Sequence, residues 1–165
     1  MEEETAMKCV NCGGTMKAVT GTHRYTESGL SSVTLVGVVV RTCPDCGERE
    51  ISIPRVETLH KMIARAIIKS PSALTPEEIR YLRKWLGYAS ADFALVMGVR
   101  PETVSRWENK EAAFPMAPTA DKLLRVLVAT REPVDKYPID LLKTPTKAKA
   151  EPLRLRAPDW KRAVS

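Results

Sequence analysis

The hydrophobic pattern of the chain changes near residue 54, from a β-strand pattern to a helical one. Before that point, SSVTLVGVVVRT at 31–42 is rich in β-branched residues, and TMKAVT and THRYTE precede it on either side of Gly21. These runs predict short strands, with turns at Gly21 and at Ser28 and Gly29. We therefore expect a small β-sheet in the first third of the chain.

From Pro54 onward, apolar residues recur at steps of three and four. Val56, Leu59, Ile63 and Ile67 follow this spacing, which predicts a connecting helix with one buried face. We expect His60, on the flank of that helix, to have a structural role. Ser70 to Ala73 then predict a linker.

Several start signals for a helix coincide in LTPEEI. Thr75 is a good N-cap, Pro76 suits the first helical position and Glu78 completes a capping box. Gly87 predicts the end of this helix.

The next segment has the spacing of a helix-turn-helix. Counted from Ser90, which we expect to be an N-cap, Ala94 is the fifth position, Gly98 the ninth and Val104 the fifteenth. Two helices that cross closely need a small residue at the crossing, a glycine in the turn and a branched apolar residue under the second helix.

The second helix of this unit is predicted to begin at Pro101. Val104 and Trp107 share its inner face, and its outer face would enter the major groove of DNA. We expect DNA contacts from Arg100, Glu102, Thr103, Ser105, Arg106 and Asn109, with Ser90 beside them. Arg106 can bond guanine through two N–H groups, and Glu102 can accept from cytosine N4. The alternative is a plain amphipathic helix in a bundle.

The remaining sequence predicts one further helix, a short last one and a basic tail. The helices are expected in PTADKLLRVLVAT at 118–130 and VDKYPIDLLK at 134–143. Seven Lys/Arg against two Asp/Glu at 143–165 supply most of the net charge of +6. Net charge therefore does not indicate that the middle segment binds DNA. The tail could contact phosphates or only solubilise the protein.

Composition sets broad limits on the class of protein. Hydrophobic residues make up 44% and charged residues 28%, which is enough for a packed core. No apolar run approaches the roughly 18 residues that span a bilayer, and the acidic start MEEETAMK does not resemble a secretory signal. We expect a protein of the bacterial or archaeal cytosol with no membrane partner.

The four cysteines form two C-x-x-C pairs, Cys9 with Cys12 and Cys43 with Cys46, each followed by glycine. Two thiolates on one tight turn can bind a tetrahedral metal, and a second turn completes the coordination. We expect one structural Zn²⁺ per chain. Iron, as in rubredoxin, is the second choice because Tyr25 is the only aromatic residue between the pairs. A thiol redox role is the third.

The expected fold is α+β: a small β-rich four-cysteine zinc domain followed by an all-α five-helix helix-turn-helix domain. We expect the zinc domain at 1–53, a connecting helix and linker at 54–72, the helix-turn-helix domain at 73–142 and a disordered tail at 143–165.

The two cysteine pairs, followed by LRKWLGYASADFALVMGVRPETVSRWENK and DKLLRVL, resemble the MqsA (YgiT-type) antitoxins. The helix-turn-helix part alone resembles the wider Xre/Cro/C1 group, whose fold is lambda-repressor-like. The resemblance implies a homodimer that represses its own operon at palindromic operators in double-stranded DNA. It also implies that the zinc domain binds a toxin.

The resemblance assigns roles to individual residues. Cys9, Cys12, Cys43 and Cys46 would be the zinc ligands. Arg106 would read a base, and Arg83 would form a structural ion pair with Glu108. Glu102 stands where these antitoxins have a base-reading asparagine, so the operator sequence is not carried over.

Two functional hypotheses follow. The first is a repressor and antitoxin of a type II toxin–antitoxin pair, and the alternative is a stand-alone zinc-containing regulator without a toxin. An enzyme is not expected, because the sequence contains no recognisable catalytic set or phosphate-binding loop.

Overall fold

A computed structural model describes residues 7–112, 114–131 and 152–163. The strands are β1 (Lys17–Arg24), β2 (Val33–Thr42), β3 (Arg49–Ser52), β4 (Leu153–Arg156) and β5 (Lys161–Arg162). The helices are α1 (Val56–Lys69), α2 (Pro76–Trp85), α3 (Ser90–Val96), α4 (Pro101–Trp107) and α5 (Pro118–Arg131). This confirms the α+β class. The helix expected at 134–143 lies outside the described residues.

All five strands form one sheet around the long strand β2. β1 runs antiparallel to one edge of β2, whereas β3 and β4 share the other edge, at 39–42 and 33–36 respectively. The turn expected at Gly21 is wrong: β1 continues through it, with a shift of register between Gly21 and Thr22. An extra residue in one strand is accommodated as a bulge without reversing the chain.

The expectation of a disordered tail is wrong for residues 152–163. β4 pairs in parallel with β2, and β5 pairs with β4. Leu155 is buried, and Trp160 is fully buried with its Nε1 donating to Pro54 O at 3.0 Å. The Pro- and Arg-rich composition concealed a strand pattern, because Leu and Arg alternate from Leu153 to Arg156.

The predicted start of α2 is present in full. The Thr75 side chain accepts a bond from the Glu78 amide, and the Glu78 carboxylate accepts one from the Thr75 amide at 2.8 Å. At the other end, Gly87 has a φ of 78°, and the Tyr88 amide donates to Arg83 O. This 6→1 bond is the Schellman ending that glycine permits.

A continuous hydrophobic core joins the sheet to the helices. It includes Leu35 of β2, Ile63 of α1, Leu82 of α2, Leu124 of α5 and the tail residue Trp160. The β-rich segment and the helix-turn-helix segment therefore pack as one body, and the chain returns to the sheet after α5.

Polar contacts reinforce the junction between the sheet and the helices. Tyr81 of α2 donates its hydroxyl proton to His60 O, so His60 Nδ1–H donates to Tyr81 at 2.8 Å. His60 Nε2 is then left to accept from Tyr25 OH at 3.2 Å. Burial lowers the pKa of His60, which favours this neutral form. His60 thus has a structural role, since it joins α1 to α2 and to Tyr25, the residue after β1.

Within the described residues, no helix is long and apolar enough to cross a bilayer.

Candidate metal centre and nucleic-acid interface

The four cysteines converge at the end of the sheet where β1 begins, β2 ends and β3 begins. Their sulfur atoms all lie within 4.8 Å of one another. Cys9 Sγ is 3.6 Å from Cys46 Sγ, and Cys12 Sγ is 3.4 Å from Cys43 Sγ. These distances are too long for disulfides. They approach the edge of about 3.8 Å for a tetrahedron with Zn–S bonds of about 2.3 Å.

Two equivalent turns position the sulfur atoms. The Gly13 amide donates to Cys9 O at 2.8 Å, and the Gly47 amide donates to Cys43 O at 2.9 Å. Gly13 and Gly47 have φ values of 74° and 76°, a region that other residues rarely adopt. The glycine after each pair is therefore required by the turn itself.

The residue after each glycine faces a sulfur atom. The Gly14 amide lowers the pKa of Cys12, but the neighbouring thiols raise it, to about 12 in balance. The Glu48 amide lowers the pKa of Cys46 to about 7. Four thiolates this close repel one another, so a divalent cation is needed for all of them to ionise.

The residues present fit a closed tetrahedral metal ion. Cys9 and Cys43 are buried, whereas Cys12 and Cys46 are exposed at the rim. With Met16, the two buried cysteines form a hydrophobic cluster separate from the main core. Four thiolates complete the shell of a structural zinc and leave no open position for chemistry. The same four thiolates could hold an iron ion.

The turn between α3 and α4 has the geometry of a helix-turn-helix. Gly98 has a φ of 65°, and the Val99 amide donates to Ala94 O at 2.9 Å, which closes α3 with a second Schellman ending. Ala94 and Val104 are buried where the helices cross. Ser90 is the first residue of α3, and Ala89 occupies the N-cap position expected for Ser90, without a side-chain cap.

The outer face of α4 is polar and open to solvent. Glu102, Ser105 and Arg106 are exposed on it, and Val104 and Trp107 are buried beneath it. Arg100, Asn109 and Ser90 are exposed nearby, and Thr103 is half-buried. The guanidinium of Arg106 lies 5.7 Å from the ring centre of Phe114, which limits its directions.

The Asn109 side chain makes a hydrogen bond that was not predicted from the sequence. Its Oδ1 accepts a hydrogen bond from the Glu111 amide at 2.9 Å, which forms a turn after α4. The side-chain nitrogen of Asn109 remains the atom that could donate to a phosphate.

The ion pair between Arg83 and Glu108 holds α4 against α2. Arg83 Nε and Nη2 donate to the two Glu108 oxygens at 2.5 and 2.9 Å, and Arg83 Nη1 donates to Tyr88 O. The bond to Glu108 raises the pKa of Arg83. Arg80 adds a bond to Glu108 O at 2.8 Å, and Glu108 is only 8% exposed. A bidentate pair in this position fixes the angle of α4.

Sequence reasoning also missed a buried arginine in α5. Arg125 pairs with Asp121 at 2.5 Å and donates to the carbonyl oxygens of Ile68, Ser70 and Ser72. Arg125 therefore satisfies carbonyl groups at the end of α1 and in the linker. Its spacing of four from Asp121 was visible in the sequence, but the acceptors lie more than 50 residues away.

Comparison with known proteins supports the assignment of the middle segment. The Helix-turn-helix family (HTH_3) matches residues 79–135. No curated protein and no solved structure matches the chain. The match and the geometry of α3 and α4 support a DNA-binding transcription regulator that carries a four-cysteine centre able to hold a metal ion.

Proposed function

We propose that the protein is a sequence-specific transcriptional repressor that reads a palindromic operator through α4. The supporting observation is the exposed polar face of α4 in a complete helix-turn-helix. An ion pair between Arg83 and Glu108, at the end of α4, holds this helix in place. A rigidly positioned helix with a polar outer face is the form of a major-groove reader.

Within this proposal, Arg106 pairs with a guanine through two N–H groups, and Ser105 bonds a base or a phosphate. Glu102 accepts from a cytosine N4, a contact that also discourages binding at other bases. Phosphate contacts come from Arg100, Thr103, Asn109 and Ser90 around the helix.

We propose a homodimer, because a palindromic site is matched by a two-fold symmetric protein. The exposed face of α5 supports this. Leu123 and Val126 are each 40% exposed and lie three residues apart, on the side opposite the buried Leu124 and Val128. A second copy would cover these apolar side chains.

We propose that the four cysteines hold one structural Zn²⁺ and that the surrounding module binds a toxin. Exposed apolar side chains near the metal support a docking role: Val10 is 96% exposed and Val19 is 67% exposed, with Met7 close by in sequence. Such residues on a small protein often mark a partner site.

A stand-alone regulator is the second candidate, and one observation favours it. The inner face of the sheet is already covered by the protein's own helices, through Val33, Leu35 and Val38 in the shared core. Among the described residues, the surfaces left for a partner are the outer face and the metal end of the module.

The DNA-reading proposal is tested with Arg106→Ala and Arg106→Lys on a duplex selected from a random library by the wild-type protein. Arg106→Ala should weaken binding by about 1–3 kcal/mol and relax selection at one base pair. Arg106→Lys should also lose that selection, because lysine retains the charge without the fork of donors. Unchanged selection in both variants would remove Arg106 as a base reader.

The antitoxin proposal is tested by expressing the protein together with the product of each adjacent open reading frame. A toxin should arrest growth alone and form a stable complex with this protein. Val10→Asp should weaken that complex without changing DNA affinity. Adjacent products that neither arrest growth nor bind would leave the stand-alone regulator.

A further inference from the structure

The folded tail places basic residues on one face of the sheet. In β4, Leu155 is buried in the core, whereas Arg154 and Arg156 are exposed. Successive side chains of a strand point to opposite faces, so Arg154 and Arg156 lie on the outer face. Lys161 of β5 pairs with Arg156 and shares that face.

The outer face carries a row of cations across four strands. Arg24 of β1 pairs with Thr34 of β2, and Thr34 pairs with Arg154 of β4. Directly paired residues point to the same side, so Arg24 belongs to this row. With strands about 4.8 Å apart, the row from β1 to β5 is roughly 14 Å wide. We call Arg24, Arg154, Arg156 and Lys161 the basic face.

The charge of the basic face is not neutralised within the described residues. None of the ion pairs there involves Arg154, Arg156 or Lys161. Asp159, in the turn between β4 and β5, faces Arg55 at 3.5 Å instead. The face is therefore complementary to a polyanion.

A chain of contacts joins the basic face to the end of α4. Arg24 Nη2 donates to Ser31 O at 2.9 Å, and the Ser31 amide and hydroxyl donate to Glu77 Oε2 at 2.9 and 2.7 Å. The other Glu77 oxygen pairs with Lys110, three residues beyond the last residue of α4. Arg24 is therefore linked through Ser31 and Glu77 to Lys110, just after the recognition helix.

We propose that the basic face binds the phosphate backbone of duplex DNA flanking the site read by α4. This inference rests on the proposed DNA binding and extends it to a longer footprint. Cations spread across a flat sheet and remote from base edges contribute affinity without sequence information. The arrangement favours duplex DNA over RNA or an acidic protein, because Arg24 is connected through Ser31 and Glu77 to Lys110, just beyond the recognition helix.

The test compares wild type with the triple variant Arg154→Gln/Arg156→Gln/Lys161→Gln on two duplexes. Both carry the site selected by wild type, one with about ten flanking base pairs on each side and one trimmed to the selected bases. Each phosphate contact contributes about 0.9 to the slope of log Kd against log salt concentration. On the long duplex, we expect the salt slope of the triple variant to be about 2–3 smaller per bound chain than that of wild type. On the short duplex, the two proteins should have the same slope.

Two further variants control for charge and folding. Lys8→Gln/Lys17→Gln/Arg49→Gln removes three cations from the metal end and should keep the wild-type slope. Arg154→Lys/Arg156→Lys keeps the positive charge and should keep the wild-type salt slope. Its thermal unfolding midpoint should match that of wild type. If the triple variant kept the wild-type salt slope on the long duplex, the inference would be overturned. This holds even if the variant bound RNA less tightly than wild type. If the wild-type protein selected no duplex from the random library, the proposed function would be overturned instead.

Discussion

The two ends of the sheet are held together by different interactions. At one end, which we call the core end, Leu35 and Leu155 pack in the large core shared with the helices. At the metal end, the buried apolar side chains are Cys9, Met16 and Cys43. This cluster is too small to stabilise a fold by itself. The difference indicates that the metal stabilises one end of the module and that the core stabilises the rest.

This division changes the expected consequence of losing the metal. A small sheet without a core would unfold with its metal. Here β2 is ten residues long and extends through both regions. Its strand pairing can therefore open at the metal end while it stays intact at the core end. We therefore expect the helix-turn-helix to remain folded without the metal.

The largest effect should come from the core end. Trp160→Ala removes a fully buried side chain and its bond to Pro54 O. We expect a loss of about 3–5 kcal/mol in the free energy of unfolding, measured by urea denaturation followed by circular dichroism. Phe114→Ala, at an exposed aromatic residue, should change it by less than about 1 kcal/mol. Equal effects would mean that the tail does not belong to the core.

A somewhat smaller effect is expected at Arg125. Arg125→Met keeps most of the side-chain volume but leaves Asp121 and the carbonyl groups of Ser70 and Ser72 without this donor. Removing one partner of a buried ion pair should destabilise the protein by about 3 kcal/mol in the same urea experiment. Metal content should not change, because Arg125 contacts the end of α1 and the linker, whereas the cysteines form a separate cluster. A loss of bound metal would contradict the separation of the two regions.

The smallest effect concerns pH at the metal end. Cys12, whose pKa is raised to about 12 without a metal, must release its proton when a metal binds. Metal affinity should therefore rise with pH, about tenfold per pH unit for each proton released. Competition with a chelator at pH 6, 7 and 8 measures this slope, and the urea midpoint of the helical core over the same range is the comparison. An affinity independent of pH would show that no thiol is deprotonated on binding.

The parts of the fold that follow from local rules could be predicted from the sequence. The capping box at Thr75 and Glu78 and the glycine endings at Gly87 and Gly98 each depend on a few adjacent residues. The convergence of the cysteines followed from the chemistry of paired thiolates, although the pairs are 31 positions apart from Cys12 to Cys43.

The parts that depend on distant contacts could not be predicted in this way. The pairing of β4 with β2 joins residues more than 100 positions apart, and nothing near Leu153 names its partner. The turn expected at Gly21 is absent because β1 runs through that residue, and the extra residue at the register shift is Gly37 of β2, whose φ is 75°. The positions of Arg125 and His60 depend on acceptors supplied by other elements.

Hydrogen exchange measured with and without a strong chelator tests the central division most directly. We predict that removing the metal speeds amide exchange at 7–16 and 43–48 and at the adjoining ends of β1 and β2. Exchange in α2, α3, α4 and α5 should stay the same. A loss of protection throughout those helices on metal removal would contradict the account.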